Sequence, residues 1–374
     1  MCQFFKDVLH MGELASGAKL TVPVYHLKGR NSHKPNSPKV YIQANMHGAE
    51  VQGNAVIFQL LELLKELDFQ GGITLVPYAN PVACNHKNGE YTLGRFDPIT
   101  GVNWNRMYHF DDGFIPEFVQ QYIDSHKLEI ETAFKQKLQQ IMIDKLEHNQ
   151  YGLTTGQRIA YQLQKMAHQA DIVLDLHTGP ISSKHLYCPE YAQQSASYFN
   201  IEHTILIPNV FDGAMDEATF CPWWTLQNEF AKQGRNIHFN KESFTVELGS
   251  QEQIDLAVAK QDATSILTYL AAKQVLVNSD FVPENMIRYA CYLKDYKAFY
   301  SPMGGMVDYL AEFGKPLAAG EPLVKILRMD NYGDGDAIHY LSLDHDVLPI
   351  LHFASASVNQ GTELYKVFSN FFKL

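Results

Sequence analysis

The pattern that most constrains the fold is a strand-forming run followed by a helical period and a second apolar run. Residues 40–42 are strand formers, and Gly48 then permits a sharp turn. Over 49–67 apolar side chains recur at helical spacing, until glycines at 71–72 end the pattern before the apolar run 73–76. Strand, helix and strand at this spacing predict a right-handed βαβ unit in a largely parallel sheet.

The rest of the chain extends this α/β prediction. Residues 16–29 alternate like an edge strand, further strands are expected at 170–179, 203–209 and 243–249, and helices at 155–169, 216–232 and 252–272. We predict a mixed, largely parallel sheet flanked by helices over residues 1–280. Short alternating segments with glycine turns predict a small all-β domain over 281–374.

Two stretches interrupt this regular pattern. The loop 82–110 has no periodicity, and a loop of this length in a compact domain is usually functional. Residues 111–150 read as amphipathic helices rich in Glu, Lys and Gln, and we interpret them as an insertion on the surface of the core. A solvated excursion, a lid and an oligomer contact are the three alternatives for this insertion.

Composition excludes several classes of protein. The net charge of −11 argues against a nucleic-acid surface, and no run approaches the ~18 apolar residues of a membrane helix. Five cysteines without close pairs argue against a disulfide framework and fit a reducing compartment. The N-terminal residues lack the pattern of a signal peptide. We therefore expect a cytoplasmic protein with no membrane or nucleic-acid partner.

The motif His-x-x-Glu occurs three times, at His10, His47 and His126, and a bare match is weak. Only His47 and Glu50 lie at a predicted junction, with His47 at the end of a strand and Glu50 in the first turn of the helix that follows. That position faces the carboxyl edge of the sheet, where open α/β folds bind ligands. The other two matches fall in an unpatterned N-terminus and a polar helical run, and we interpret them as solvated.

Two further strand ends bring candidate side chains to the same edge. His177 closes the apolar run that begins at Ile172, and Glu247 closes the strand 243–249. Two histidines and a glutamate (His47, Glu50 and His177) form a ligand set for catalytic zinc that leaves one position open. A bound zinc ion lowers the pKa of water to about 7, and the carboxylate of Glu247 suits a general base and acid.

A structural role is the alternative to a role at the metal site for both His177 and Asp175. A hydrogen-bonded structural histidine is the alternative for His177. Asp175 either orients a metal ligand or bonds the local backbone.

Five motifs follow one another over residues 40–250. They are His47-Gly-Ala-Glu50, Asn80-Pro-x-Ala83, Asn103-x-Asn-Arg106, Asp175-Leu-His-Thr-Gly179 and Thr245-Val-Glu-Leu-Gly249. Together they resemble the succinylglutamate desuccinylase/aspartoacylase family of the zinc carboxypeptidase superfamily. The C-terminal region, around Ser301-Pro-Met-Gly-Gly305, is similar to the small, lipoyl-domain-like β-barrel appended in that family. It lacks the lysine turn used for attaching biotin or lipoate, so we expect no cofactor there.

The resemblance implies roles for particular residues. His47, Glu50 and His177 would hold one Zn²⁺ per chain, and Glu247 would act as general base and acid. Arg95 is similar to the arginine that polarises the scissile carbonyl, with an ion pair to Asp97 as the alternative. Asn105 and Arg106 look like the pair that holds the substrate carboxylate, with a purely structural role as the alternative.

These observations lead to a zinc-dependent hydrolase that cleaves the amide bond of a small, anionic N-acyl amino acid or a related carboxylate-bearing amide. The alternatives are a zinc carboxypeptidase acting on peptides and an inactive metal- or ligand-binding relative. Cobalt or manganese could replace zinc in such a site. The sequence does not specify the acyl group, the amine or the oligomeric state, and a homo-oligomer is an open alternative.

Overall fold

The computed structural model describes residues 3–333 and 335–374, which form two compact units. The first unit contains the chain up to His177, Asn209–Thr245 and Glu252–Val282. The second contains Thr178–Pro208, Val246–Gln251 and Pro283–Leu374. The helices are α1 (Gln52–Glu66), α2 (Ile115–Gln121), α3 (Lys127–Glu147), α4 (Thr155–Ala167), α5 (Gln193–Ala196), α6 (Met215–Lys232) and α7 (Leu256–Ala272).

The strands are also numbered in chain order, and several of them are only two residues long. They are β1 (Gln3–Glu13), β2 (Lys19–Lys28), β3 (Lys39–Ala44), β4 (Gly72–Val76), β5 (Lys87–Asn88), β6 (Tyr91–Thr92), β7 (Ile172–Gly179), β8 (Ile181–Ser182), β9 (Lys184–Pro189), β10 (His203–Ile207), β11 (Glu242–Ser250), β12 (Tyr289–Tyr292), β13 (Tyr296–Tyr300), β14 (Gly305–Tyr309), β15 (Pro322–Leu327), β16 (Ile338–Ser342), β17 (Leu348–His352), β18 (Ser357–Val358), β19 (Glu363–Phe368) and β20 (Phe372–Lys373).

The sheet of the first unit runs in the order β1-β2-β4-β3-β7. β3 pairs in parallel with both β4 and β7, and α1 connects β3 to β4, so the predicted βαβ unit is present. The register places Gln43 opposite Asp175 across β3 and β7. β3 and β7 are buried on both faces, as expected for central parallel strands. Their burial holds in place the residues at their carboxyl ends.

The N-terminus differs from the sequence prediction. Residues 16–29 were expected to form an edge strand, but β2 is covered by β1, which pairs with it antiparallel over Gln3–Glu13. β1 was missed because most of its side chains are exposed, including Phe4, Phe5 and Val8, so no alternation of buried and exposed positions marks it. The N-terminal residues, which show no pattern in the sequence, therefore form a strand that was not predicted.

The helical insertion has a core of its own within the first unit. α2 and α3 bury an apolar face against α6, and this cluster centres on Phe134, which contacts Phe114, Phe118 and Trp223. α3 also packs on α4. The insertion is therefore anchored by apolar packing, with its polar side chains on the remaining face.

The second unit is built mainly from strands. β9, β10 and β12 are parallel, and β20 closes this group antiparallel to β12. Two four-stranded sheets follow, in the orders β13-β19-β17-β8 and β16-β15-β14-β18. Their shared apolar cluster includes Leu323, Ile326, Leu364 and Tyr365.

The fold class predicted from the sequence is confirmed, because a largely parallel α/β sheet with flanking helices is followed by small antiparallel sheets. The domain boundary near residue 280 stays a prediction. Among the described residues, the cysteines Cys84, Cys188, Cys221 and Cys291 form no disulfide bond. No helix within residues 3–333 and 335–374 combines the length and apolar character needed to cross a membrane.

Candidate metal centre

The turn between β3 and α1 places the first two candidate ligands. β3 ends at Ala44 and α1 begins at Gln52, so His47 and Glu50 lie in the connection between them. The prediction that Glu50 belongs to the first helical turn is therefore wrong. Asn45 starts the turn with a φ of +64°, and its amide donates to the carbonyl oxygens of His47 (2.7 Å) and Gly48 (3.2 Å). These bonds satisfy carbonyls that neither the strand nor the helix can reach.

Asn80 ties this turn to the loop after β4. Its amide donates to the carbonyl oxygen of Met46 at 3.2 Å, while its own oxygen accepts from the backbone N–H groups of Val82 and Ala83. Asn80 is fully buried, so these bonds are protected from water. The motif that begins at Asn80 is therefore explained by its support of the turn.

Glu50 lies between two histidines. Its Oε1 is 2.8 Å from Nδ1 of His47, and its Oε2 is 2.8 Å from Nδ1 of His177. All three side chains are at most 5% exposed. The candidate ligand atoms lie within 4.8 Å of one another, so the three predicted ligands are brought together although 127 residues separate Glu50 from His177.

The outer nitrogens of both imidazoles also have partners. Nε2 of His47 lies 2.8 Å from Oδ1 of Asn103, and this oxygen already accepts from the N–H of Asn105, so it is an acceptor. Nε2 of His177 lies 2.9 Å from Oδ2 of Asp175 and 3.3 Å from the amide nitrogen of Asn105. The closer, charged carboxylate favours a proton on this Nε2.

The electrostatics of this group depend on its burial. Burial by itself would raise the pKa of Glu50, but His47 and His177 hold that pKa far below its ordinary value. Burial would lower the pKa of His177, but Asp175 and Glu50 outweigh it and raise that pKa well above 6.5. The group therefore keeps a buried carboxylate ionised and concentrates positive charge beside it.

This donor set fits a metal ion. A bound metal ion would take the place of the Nδ1 protons, and the contacts of both Nε2 atoms with Asn103 and Asp175 leave the Nδ1 atoms facing Glu50 as ligands. Two imidazole nitrogens and a carboxylate are ligands that suit zinc and leave a position open. His47, Glu50 and His177 are therefore the residues that would hold the ion. Of the two roles considered for Asp175, its contact with His177 favours the orientation of a metal ligand.

Arg95 lies beside this centre. Its Nη1 is 3.4 Å from Oε1 of Glu50, and its side chain is about half exposed. Asp97, the alternative partner, instead accepts from the N–H of Ile99 (3.1 Å) and the hydroxyl of Thr100 (2.8 Å). Arg95 therefore forms its ion pair with Glu50, and its guanidinium remains accessible to a ligand.

Asn105 and Arg106 follow in a short 3₁₀ turn, Trp104–Arg106. The amide of Asn105 lies between His177 and the backbone N–H of Met215, to which it offers Oδ1 at 3.3 Å. Arg106 is partly exposed, with its Nε 3.7 Å from Asp212. Asn105 therefore contacts a candidate ligand, whereas Arg106 presents its guanidinium at the surface of the same unit.

Glu247 lies on β11, in the part of that strand that belongs to the second unit. It is half-buried, and within that unit its charge acts on Tyr296. Burial, followed by Tyr187 and Glu247, raises the pKa of Tyr296 well above 10. The assignment of Glu247 as general base stays a prediction.

Sequence reasoning did not assign roles to three residues of this centre, Asn45, Asn103 and Gln43. Asn103 was visible only as part of a motif, and its contact with His47 depends on the path of the loop 82–110. The other two matches to His-x-x-Glu behave as expected, because His10, Glu13, His126 and Glu129 are all exposed.

A family model and solved structures identify relatives of this chain. Residues 36–273 match the family model described as the succinylglutamate desuccinylase/aspartoacylase catalytic domain. A comparison with curated proteins gave no match.

Among solved structures, a succinylglutamate desuccinylase/aspartoacylase of Shewanella frigidimarina NCIMB 400 has 52% identity and a TM-score of 0.96, with 100% of this chain and 99% of that chain covered. A family protein of Shewanella amazonensis SB2B has 52% identity and a TM-score of 0.95, with 99% and 100% covered. A succinylglutamate desuccinylase/aspartoacylase of Rhodobacter sphaeroides shares the fold at 16% identity and a TM-score of 0.65, with 100% and 95% covered. The chain belongs to the succinylglutamate desuccinylase/aspartoacylase family.

Proposed function

We propose that this protein is a zinc-dependent hydrolase that cleaves the amide bond of a small N-acyl amino acid or a related carboxylate-bearing amide. One zinc ion per chain would be held by His47, Glu50 and His177. The observation that carries the proposal is the approach of both Nδ1 atoms to the Glu50 carboxylate at 2.8 Å, while both Nε2 atoms are held from outside. Family membership supports a hydrolase and a small acyl-amino-acid substrate.

Zinc in such a site lowers the pKa of water to about 7 and polarises a carbonyl oxygen. The residues of the chain supply the remaining functions. Arg95, half exposed and next to Glu50, is suited to donate to the oxygen of the scissile carbonyl as negative charge develops there. Glu247 is proposed to take a proton from water and to pass it to the leaving amine.

The substrate carboxylate is proposed to bind at Arg106, because a guanidinium offers two parallel donors to a carboxylate. Asn105 adds an amide donor between this arginine and His177. The cytoplasm is the proposed compartment, in keeping with four described cysteines that form no disulfide bond.

The first experiment measures zinc content and hydrolysis together. Elemental analysis of the wild type should give about one zinc per chain, and His47→Ala should lose both the metal and turnover. His126→Ala is the matched control, because it changes the histidine of an exposed His-x-x-Glu pair and should change neither. A wild type that takes up no zinc when zinc is supplied would overturn the proposal.

A second experiment separates the three candidate functions. N-acyl amino acids and short peptides are assayed side by side with zinc-loaded wild type and Glu247→Gln. Cleavage of acyl amino acids that is lost in Glu247→Gln, with zinc retained, supports the proposed deacylase. Cleavage of peptides alone would favour a carboxypeptidase, and equal inactivity of both proteins would favour a metal-binding relative without catalysis.

A further inference from the structure

We propose that Gln43 is a positioning residue for the metal centre, acting on His177 through Asp175. This inference rests on the proposed function, because it concerns how tightly the chain holds the ion. Gln43 lies on β3, directly opposite Asp175 of β7, and both side chains are 0% exposed. It contacts neither ligand nor substrate, so its effect must pass through the carboxylate.

The hydrogen bonds of Gln43 define the orientation of its amide. Nε2 donates to Oδ1 of Asp175 at 2.9 Å and to the hydroxyl of Tyr108 at 3.1 Å. Oε1 accepts from the hydroxyl of Tyr41 at 3.0 Å. Because an ionised carboxylate can only accept, the amide nitrogen must face Asp175, and a flipped amide would bring two oxygens together. The orientation is therefore determined by the chemistry of the partners.

This arrangement assigns a separate role to each oxygen of Asp175. Oδ1 receives the amide proton of Gln43, and Oδ2 is left 2.9 Å from Nε2 of His177. Fixing the carboxylate in this rotation keeps the proton of His177 on Nε2 and leaves the lone pair of Nδ1 directed at Glu50. Gln43 does this without adding charge, so the carboxylate stays fully available to the imidazole.

The surroundings make this orientation rigid. Tyr41 and Tyr108 are buried, and β3 and β7 are paired along the register that contains Gln43 and Asp175. An apolar side chain at position 43 would remove the donor from Oδ1 in a place that water does not reach. The carboxylate could then turn, and the imidazole would lose its fixed tautomer.

The test measures zinc dissociation constants by competition with a chromophoric chelator. Gln43→Met keeps the length of the side chain and removes the amide, and it should weaken zinc binding about 10-fold or more, as loss of such outer partners does. Gln164→Met is the matched control. Gln164 is also 0% exposed and fully hydrogen-bonded, to His109 and His168, and its loss should leave zinc affinity within about 2-fold of the wild type.

A double-variant cycle distinguishes action through Asp175 from a general loss of structure. If Gln43 acts through this carboxylate, Gln43→Met added to Asp175→Ala should weaken zinc binding no further than Asp175→Ala alone. Proton NMR of the zinc-loaded wild type should show a slowly exchanging Nε2–H of His177, and Gln43→Met should speed its exchange with water, because Asp175 is then no longer held in place. Gln43→Leu, which also removes the amide without adding charge, replaces Gln43→Met if the latter fails to fold, and the same loss of zinc affinity is expected.

Three results would overturn the inference. Equal zinc affinities of Gln43→Met and Gln164→Met would show that position 43 has no special role, and additive effects with Asp175→Ala would show that it does not act through the carboxylate. Failure of the wild type itself to bind zinc would remove the proposed function as well. The first two results leave the proposed function intact. Failure of the inference about Gln43 can therefore be distinguished from failure of the proposed function.

Discussion

Gly48 lies so close to Ala83 that a Cβ added at position 48 would stand 2.0 Å from the carbonyl oxygen of Ala83. The neighbouring atom belongs to the backbone, which cannot turn aside as a side chain can. This close approach holds the turn of His47 and Glu50 against the loop that follows β4. The glycine of the His-Gly-Ala-Glu motif is therefore a steric requirement of the metal centre.

Gly48→Ala should separate these two segments and displace His47. We expect a loss of about 1–3 kcal/mol in the free energy of unfolding, the usual range for an overpacked site, together with weaker zinc binding. Gly72→Ala is the control, because a Cβ there meets only the carbonyl oxygen of Leu27 at 3.9 Å. Denaturant unfolding and zinc titration of both variants check the prediction. Normal zinc affinity in Gly48→Ala would contradict it.

Asn103 should act on the metal centre through its side-chain oxygen. This oxygen accepts from Nε2 of His47 at 2.8 Å and from the N–H of Asn105 at 2.9 Å. Asn103→Ala removes the acceptor and should weaken zinc binding about 10-fold or more. Asn103→Asp keeps an acceptor in the same place and should retain most of the affinity. Chelator competition on both variants provides the measurement, and similar losses in the two would show that the oxygen is not responsible.

Asp216 should make the stability of the protein fall as the pH rises. Burial, followed by the carboxylates of Glu217 and Asp175, raises the pKa of Asp216 to about 7. An unfolded aspartate has a pKa of about 3.9, so between about pH 4 and pH 7 the folded state holds the proton more tightly. The stabilising contribution of this protonation is complete below about pH 4 and is lost as the pH rises through about 7.

Asp216→Asn keeps a neutral side chain at every pH and should remove this dependence. The variant should gain on the order of 2 kcal/mol over the wild type between pH 5 and pH 8, given about 1.4 kcal/mol per pKa unit. Denaturant unfolding at both pH values, with chelator present to exclude metal effects, checks this. The exposed Asp124 supplies the control Asp124→Asn, which should track the wild type. A constant difference between Asp216→Asn and wild type would refute the assignment.

Much of the centre was predictable because parallel strands end at one edge of a sheet. The strand-forming run 40–42 and the apolar run ending at His177 suffice to bring His47, Glu50 and His177 to that edge. The turn itself was not predictable. Its geometry depends on the positive φ of Asn45 and on the contact of Gly48 with a loop 35 residues away, and neither leaves a periodic signal.

The contacts that orient the ligands were harder still to predict. The pairing of Gln43 with Asp175 requires the exact register of two strands separated by 132 residues, whereas periodicity gives a register only approximately. The edge strand β1 was missed for a related reason, because a strand exposed on both faces shows no alternation of apolar and polar residues. Sequence patterns therefore located the candidate ligands His47, Glu50 and His177 but not the residues that orient them.

Trp104 occupies the variable position of the motif Asn103-x-Asn-Arg106, and the structure places it in the core. It is fully buried and packs against Gly156 of α4, where an added Cβ would lie 3.0 Å from its ring and 2.0 Å from the sulfur of Met107. Its indole N–H is buried and has no hydrogen-bond partner among the described residues. The indole therefore contributes packing and shape.

Replacement of Trp104 should change stability while leaving substrate preference unchanged. Trp104→Ala opens a large cavity and should cost about 3–5 kcal/mol in the free energy of unfolding. Trp104→Phe keeps an aromatic ring and removes an unpaired donor, so the lost contacts are partly offset and the cost should stay near 1 kcal/mol. Denaturant unfolding of both variants gives the first measurement. Relative kcat/KM for two N-acyl amino acids that differ only in the acyl group gives the second. A change in that ratio for Trp104→Phe would mean that this side chain shapes the substrate pocket despite its burial.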